Sequence, residues 1–480
     1  MKKIFLSLIA LVATVGMLNA QRTWAYGLDL ETKDGGPNVY TFSFTATTDA
    51  VAANLVFLNA DGTEAGKVAV PVAKGKNTVE LAASQIPGTG ELNWAVELTG
   101  AAIETATTLT DASDKYYYYL PQDVEVNNNP ESDYFGTIYV AEPYAGASDG
   151  ASAHSQTQKI GIYVYDAALN LENYAQGYVP SNVTVKAADK HNTLHRLVVH
   201  PLTDEVVFTQ SVGAYVWAAN PANLNAEAVN LVAGLGIGVA NSVCFDENGV
   251  MYVFDASTTG GGTLYKVVDG VATAVVSIPA VVNGRNSLAA DGHGGVWIGQ
   301  NRSQMDTYNY LTHVNAAGKI DYEVNANSAD EIKAMFAVNM NRGHIAYDAQ
   351  RDVLAIGGGG KVTLLNAVYD ENGTPTLTKW TETPMFNSEK PAWNVDGIAF
   401  DYAGDLYVVC ASNERFYKYA LPTATNTCTT PAKKSLTVVG NGSAVENVSV
   451  SNKAQKIVRN GQVLIVRDGQ FFNLLGQEVK

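Results

Sequence analysis

Three cysteines in 480 residues (Cys244, Cys410 and Cys428) are too few for a disulfide framework, so the fold must rest on packed cores. Cys244 and Cys410 fall in apolar stretches that read as buried strands, where a thiol acts as a small hydrophobe. A Cys410–Cys428 bridge is the alternative. Basic side chains are also scarce, with 31 Lys and Arg against 47 Asp and Glu and a formal charge of −16. That balance excludes nucleic acid and anionic membrane as partners, because both require clustered cations. Beyond the N-terminus no apolar run approaches the roughly twenty residues of a membrane-spanning helix, so no transmembrane segment is expected. Catalytic signatures are missing too. There is no H-E-x-x-H, no G-x-S-x-G and no P-loop, and the seven histidines have no ligand spacing. His154 and His191 fall in loops.

The chain is too long for one ordinary core, and its length suggests about three domains. Charged residues at 16% and apolar residues at 46% are a globular composition rather than a disordered one. The N-terminus reads as a secretory signal spanning residues 1–20. Lys2 and Lys3 form the positive start, residues 4–18 are an apolar run, and Leu18-Asn19-Ala20 offers a cleavage site before Gln21. No Cys follows the run, so no lipid anchor is expected there. The expected location is outside the cytoplasm: periplasm, outer surface or extracellular space.

One phrase is written five times between residues 195 and 410. An apolar strand ends in aspartate or a stand-in, turns, and re-enters as a second strand, usually with Tyr or Trp. VCFDENGVMYVFD (243–255), LAADGHGGVWIGQ (288–300) and IAFDYAGDLYVVC (398–410) are the clearest copies. Residues 345–348 with 353–356, and a looser 197–200 with 206–210, complete the five. GTIYVAE (136–142) aligns with GVMYVFD (249–255) and supplies a sixth, earlier unit. Each unit carries a third strand, such as 161–165, 263–267 or 415–419, and some a fourth. Four strands in about fifty residues make a propeller blade, which must stack on neighbours to bury its faces. The fold class expected is therefore all-β, with a six-bladed β-propeller over residues 115–422. Residues 115–120 are expected as the outer strand that closes the last blade.

Short strand candidates at 40–46, 53–58, 68–72, 78–81 and 92–98 predict a β-sandwich over residues 21–104, followed by a Thr/Ala/Ser/Asp linker at 105–114. Tyr116 to Tyr119 are four tyrosines in a row. On a strand two face a core and two face outward, as a half-buried strand or as a sugar-stacking patch. A linker at 423–435 leads to a tail at 436–480. There Asn460-Gly461 and Asp468-Gly469 predict a three-stranded meander from 455–459, 462–467 and 470–475.

Several segments resemble known families. GIAFDYAGDLYVVCASNERFYKYALP (397–422) resembles the NHL blade, and NSVCFDENGVMYVFDAS (241–257) resembles both NHL and gluconolactonase-type blades. The sandwich is similar to bacterial immunoglobulin-like modules, with FLNADGTEAGKV (57–68) similar to the module of flagellar hook-capping proteins. KIVRNGQVLIVRDGQFFNLLGQEVK (456–480) is similar to C-terminal tails of proteins exported by Gram-negative anaerobes, and more distantly to type IX sorting domains. That resemblance implies an envelope or secretion-machinery partner for the tail.

In the aligned repeats, the residue entering each innermost strand lies near the mouth of the central channel. These residues are His195, Asn241, Asn286, Gly343 and Asp396. Arg285 and Arg342 come one residue earlier, and Arg196 and His344 one residue later. Converging polar and cationic groups predict a ligand site for a glycan or protein partner. The alternative is that Asn and Asp cap turns there. The gluconolactonase-type resemblance implies instead a Ca2+ or Mg2+ ion held by Glu142, Asn241, Asn286 and Asp255, with hydrolysis of a lactone or small ester. Cys410 and Gln300 replace the acid in two units, and Gly343 replaces the Asn in another. The expectation is a non-enzymatic binding scaffold needing no cofactor. A metal-dependent hydrolase and a structural envelope component are the rivals.

Overall fold

A computed structural model describes residues 21–32, 39–143, 159–173, 177–185, 194–210, 213–256, 261–279, 286–300, 310–336, 344–384 and 395–438, with strands at 455–459, 462–467 and 470–472. Outside these lie the signal segment, Arg285, Arg342, Gly343, His154, His191 and residues 144–158.

Six antiparallel sheets form the propeller. Blade 1 is Asp123–Val126, Ile138–Glu142 and Gly161–Tyr165. Blade 2 runs from Leu194–Val199, blade 3 from Ala240–Phe245, blade 4 from Ser287–Ala290 and blade 5 from Ile345–Asp348, each adding three strands in sequence order. Blade 6 is Gly397–Phe400, Leu406–Cys410 and Arg415–Ala420. Each blade's first strand packs beside the next one's, and Gly397–Phe400 returns to Asp123–Val126, so the ring of inner strands is closed. Closure hides the inner edges of the sheets, which is why so many strands can coexist without an exposed template for aggregation.

The repeated aspartate is a turn device. Oδ1 of Asp246 accepts the amides of Asn248 and Val250, and Oδ1 of Asp291 those of His293 and Gly295. Asp401 likewise takes the amide of Asp405. Gly249 and Gly404 follow at φ +77° and +89°, a region open to glycine at little cost.

The closing strand is Thr107–Thr108, pairing with Tyr419 and Ala420, rather than residues 115–120. Residues 114–116 form a short 3-10 turn, and Tyr117 makes only an isolated bridge to Arg415. The expected alternation survives: Tyr116 and Tyr118 are buried in the core of blades 1 and 6, whereas the Arg415 guanidinium lies over the Tyr117 ring.

Two further sheets face each other as a sandwich. In Val39–Ala46 every second residue is buried, and Tyr40, Phe42 and Phe44 meet Leu55, Phe57, Trp94 and Val96 of the facing sheet. The Phe42 and Trp94 rings meet edge-on at 4.9 Å. The expected linker at 423–435 and the start of the tail belong here. Thr427–Pro431 and Leu436–Val438 both pair with Gly90–Thr99. That strand carries Leu92, Trp94, Val96 and Leu98, all fully buried, and its outer edge needs a partner which only the chain beyond the propeller supplies. The Trp94 indole also donates to the carbonyl of Lys434 (2.8 Å). The sandwich is thus built from both flanks of the propeller.

The cysteines form no disulfide, which removes the Cys410–Cys428 alternative. Gln455–Arg459, Gln462–Arg467 and Gln470–Phe472 form the expected meander. Among the described residues no helix is long and apolar enough to cross a membrane.

Candidate functional site: the central channel

The inner strands all present their starts to one end of the ring, so residues at the same step lie in one layer. The second residue of this layer system does most of the bonding. Asp123 of blade 1 accepts the Leu197 amide of blade 2 (2.8 Å) on Oδ2. Ser242 of blade 3 accepts the Leu288 amide of blade 4 (3.0 Å), and the Ser287 hydroxyl donates to the Ile345 carbonyl of blade 5 (3.2 Å). Small polar side chains therefore stitch neighbouring blades round the axis.

Arg196 crosses the ring. Its Nε donates to the Asn286 carbonyl of blade 4 (3.0 Å) and its Nη1 to the Asp396 carbonyl of blade 6 (2.9 Å). A side chain from blade 2 that reaches blades 4 and 6 must pass across the axis. His344 of blade 5 completes the layer, with Nε2 2.9 Å from Asp123 Oδ1. Burial and the neighbouring guanidinium lower its pKa, against the pull of Asp123, so the imidazole is neutral at physiological pH.

The sequence-predicted ring residues do converge, as a plug rather than a mouth. His195, Arg196, Asn241, Asn286 and Asp396 are all buried. Arg285 and Arg342 lie outside the described residues. The carboxylate of Asp396 accepts the Ala411 amide (2.7 Å), and His195 Nδ1 approaches the Asn241 carbonyl. The side-chain amides of Asn241 and Asn286, with that of Gln300, are fully buried and have no hydrogen-bond partner among the described residues. Such groups cost about 1–3 kcal/mol each when left unbonded.

The metal set fares differently. Glu142 Oε2 accepts the amides of Tyr119 and Leu120 (2.9 and 3.0 Å), and the Asp255 carboxylate those of Gly238 and Val239 (3.0 and 2.9 Å). These acids pin the connection entering the blade. No group of three or more His, Cys, Asp or Glu that could hold a metal occurs among the described residues. The Arg196 guanidinium bonded to Asn286 sets a positive charge beside one of the implied ligands, and both acids are committed to backbone amides, which disfavours a divalent ion there.

The open volume lies on the other side of the plug. A cavity of about 410 Å³ extends from Asp123, Arg196 and His344 to the turns that end the inner strands, at Asn128, Gly292, Arg351 and Tyr402. Between floor and mouth runs a belt formed by Val198, Cys244, Ala289, Ala346, Ala399 and Glu125. Five members are apolar or small, and the sixth is a carboxyl. Burial, with Asp123 adding its charge, pushes the Glu125 carboxyl up to about 8 despite the bond it accepts from the Val126 amide. Sequence reading missed this residue because blade 1 lacks the aspartate-turn phrase that marks the other inner strands. The signal available was the alternating DVEV segment just ahead of the GTIYVAE strand.

The sandwich stands beside the mouth. Arg22 donates to the carbonyls of Ala403 (2.9 Å) and Pro422 (3.2 Å), and Trp24 packs against Phe135 and Tyr402. Arg351 is held there by Asp348 (2.8 Å) and the Tyr402 carbonyl (3.0 Å).

Fold and site together define an all-β protein whose propeller encloses a central channel plugged at one end. No protein-family model matches the chain, and no curated protein does. Among solved structures it is similar to a gluconolactonase from Xanthomonas campestris, at 12% identity over 68% of this chain and 90% of that one, with a TM-score of 0.41. It is also similar to auxiliary nutrient binding proteins from Bacteroides thetaiotaomicron (10% identity, 82% and 96% coverage, TM-score 0.41) and Bacteroides ovatus (11%, 82% and 97%, 0.41). At such identities no ligand or activity carries across.

Proposed function

We propose that this chain is an exported, non-enzymatic binding protein that admits a small polyhydroxylated ligand, such as the end of a glycan, into the propeller channel. The observation that carries this reading is the preformed cavity, whose floor is already held by bonds between blades. A rigid polar floor beneath an apolar belt binds without reorganising, which is what a recognition site requires. At its floor the cavity is lined by Asp123, Arg196, Ser242, Ser287 and His344, and donors and acceptors of this kind match sugar hydroxyls. Catalysis is poorly served. Neither Ser242 nor Ser287 bonds an imidazole or carboxylate among the described residues, because both hydroxyls serve backbone groups.

The signal-like residues 1–20 support export to the periplasm, outer surface or extracellular space. The meander at 455–472 is then the part that meets the envelope or secretion machinery. Calorimetric titration of the purified chain with a panel of mono- and oligosaccharides tests the binding role. Binding to the wild type that is lost in Ala346→Phe, with the fold retained by circular dichroism, supports it. Equal binding by both proteins refutes the channel as the site.

A further inference from the structure

We propose that the channel binds a small primary ammonium ligand, with the Glu125 carboxylate as its counter-ion and the surrounding belt holding the adjoining carbon chain. The inference rests on the channel being a ligand site and names the chemistry it selects.

Glu125 is the sole charged member of its layer, facing Val198, Cys244, Ala289, Ala346 and Ala399 across the cavity. Its carboxyl accepts one backbone amide and makes no ion pair among the described residues. The cations nearby are committed elsewhere. Below, Arg196 is bonded to two carbonyls, and His344 is neutral beside Asp123. Above, Arg351 is paired with Asp348, and Asp401 lies against Lys418. The remaining charges near the mouth, Asp246 and Glu247, are acidic and draw cations inward.

A carboxylate in such a belt is costly when ionised and uncompensated, and a ligand cation removes that cost. One carboxylate is too few for calcium, which takes six to eight oxygens, whereas an ammonium group needs only three acceptors. The small side chains of Ala289, Ala346 and Ala399 leave room beside Glu125 for a carbon chain, and Phe245 and Phe400 line the way out. Ammonium binding requires the ionised carboxyl, so a proton leaves Glu125 as the amine arrives.

The test is calorimetric titration of the full chain with n-butylammonium chloride and with n-butanol, its uncharged counterpart. At pH 8.5 the amine should bind at least tenfold tighter than the alcohol, and Glu125→Gln should abolish the difference. Because binding needs the ionised form, affinity for the amine should fall roughly twentyfold at pH 6.5. Near pH 7 close to one proton should be released per amine bound, read from buffers of different ionisation enthalpy. Equal affinities for amine and alcohol, or amine binding unaffected by Glu125→Gln, overturn the ammonium assignment while leaving the channel as a site. Sugar binding with no amine binding overturns the assignment alone. Silence towards amine, alcohol and the saccharide panel overturns both readings.

Discussion

Arg196 in blade 2 donates a hydrogen bond to the carbonyl of Asp396 in blade 6, 200 residues away in the chain, while its Nε bonds Asn286 in blade 4. One planar guanidinium thus ties three alternate blades together and closes one end of the channel.

Removing that group should weaken the whole ring. Arg196→Met leaves two buried carbonyls without their charged donor, at a cost of roughly 3–5 kcal/mol. Arg196→Lys should recover less than half, because one ammonium cannot match the two directions of the guanidinium fork. Urea unfolding of the three proteins at pH 7 checks this, and near-equal stability of Arg196→Lys and wild type would count against the bridging role.

Glu125 gives a pH signature that needs no ligand. Its folded pKa, about 8, lies above the unfolded value of about 4.3, so the folded state holds the proton more tightly between these limits. Its contribution to stability is therefore complete below about pH 4 and is lost as pH rises towards 8. Glu125→Gln should stabilise the protein by on the order of 1–3 kcal/mol at pH 8.5 and by almost nothing at pH 4.5. Paired denaturation curves at the two pH values measure the difference.

Blade 4 should be sensitive to acid. His313 is fully buried between Asp291 (2.9 Å) and Asp321 (2.6 Å). Burial opposes ionisation of Asp291, but bonds from His313 and from the His293 and Gly295 amides outweigh it and hold the carboxyl below its usual range. A depressed carboxyl stabilises the fold above its unfolded pKa of about 3.9, and that stabilisation is lost as pH falls through the folded value. His313→Ala should cost about 3–5 kcal/mol at pH 7 by stranding Asp291, with a smaller penalty at pH 3. Thermal melts across this range test the sign.

The sandwich should depend on the chain beyond the propeller. A chain ending at Pro422 lacks Thr427–Pro431 and Leu436–Val438, which exposes one edge of Gly90–Thr99 and the side of Trp94. Limited proteolysis should then remove residues before about 105 while the propeller persists. An intact sandwich in the truncated protein would refute the discontinuous arrangement.

The propeller was legible because its turn chemistry is written repeatedly: Asp246, Asp291 and Asp401 each end an inner strand and cap the turn that follows. Convergence of His195, Arg196, Asn241, Asn286 and Asp396 at one end was legible for the same reason, since equal steps in like repeats share a layer. Whether that end is a plug or a mouth was not. It depends on Arg196 reaching two carbonyls in distant blades, and backbone acceptors carry no sequence mark. Glu142 and Asp255 misled in a similar way, because an acid that clamps backbone amides looks in sequence like an acid that awaits a metal. The sandwich boundary failed because Thr427–Pro431 carries no apolar alternation. It joins as an edge strand, held by the backbone pairing that Gly90–Thr99 offers.

The central claim is that ligand enters the channel from the turn end and stops at Arg196. A crystal structure of the chain grown with its tightest-binding saccharide or amine tests it most directly. Ligand density is expected between Arg196 and Tyr402, within reach of Glu125. Density on the outer blades or the sandwich, with the channel unchanged, would contradict it.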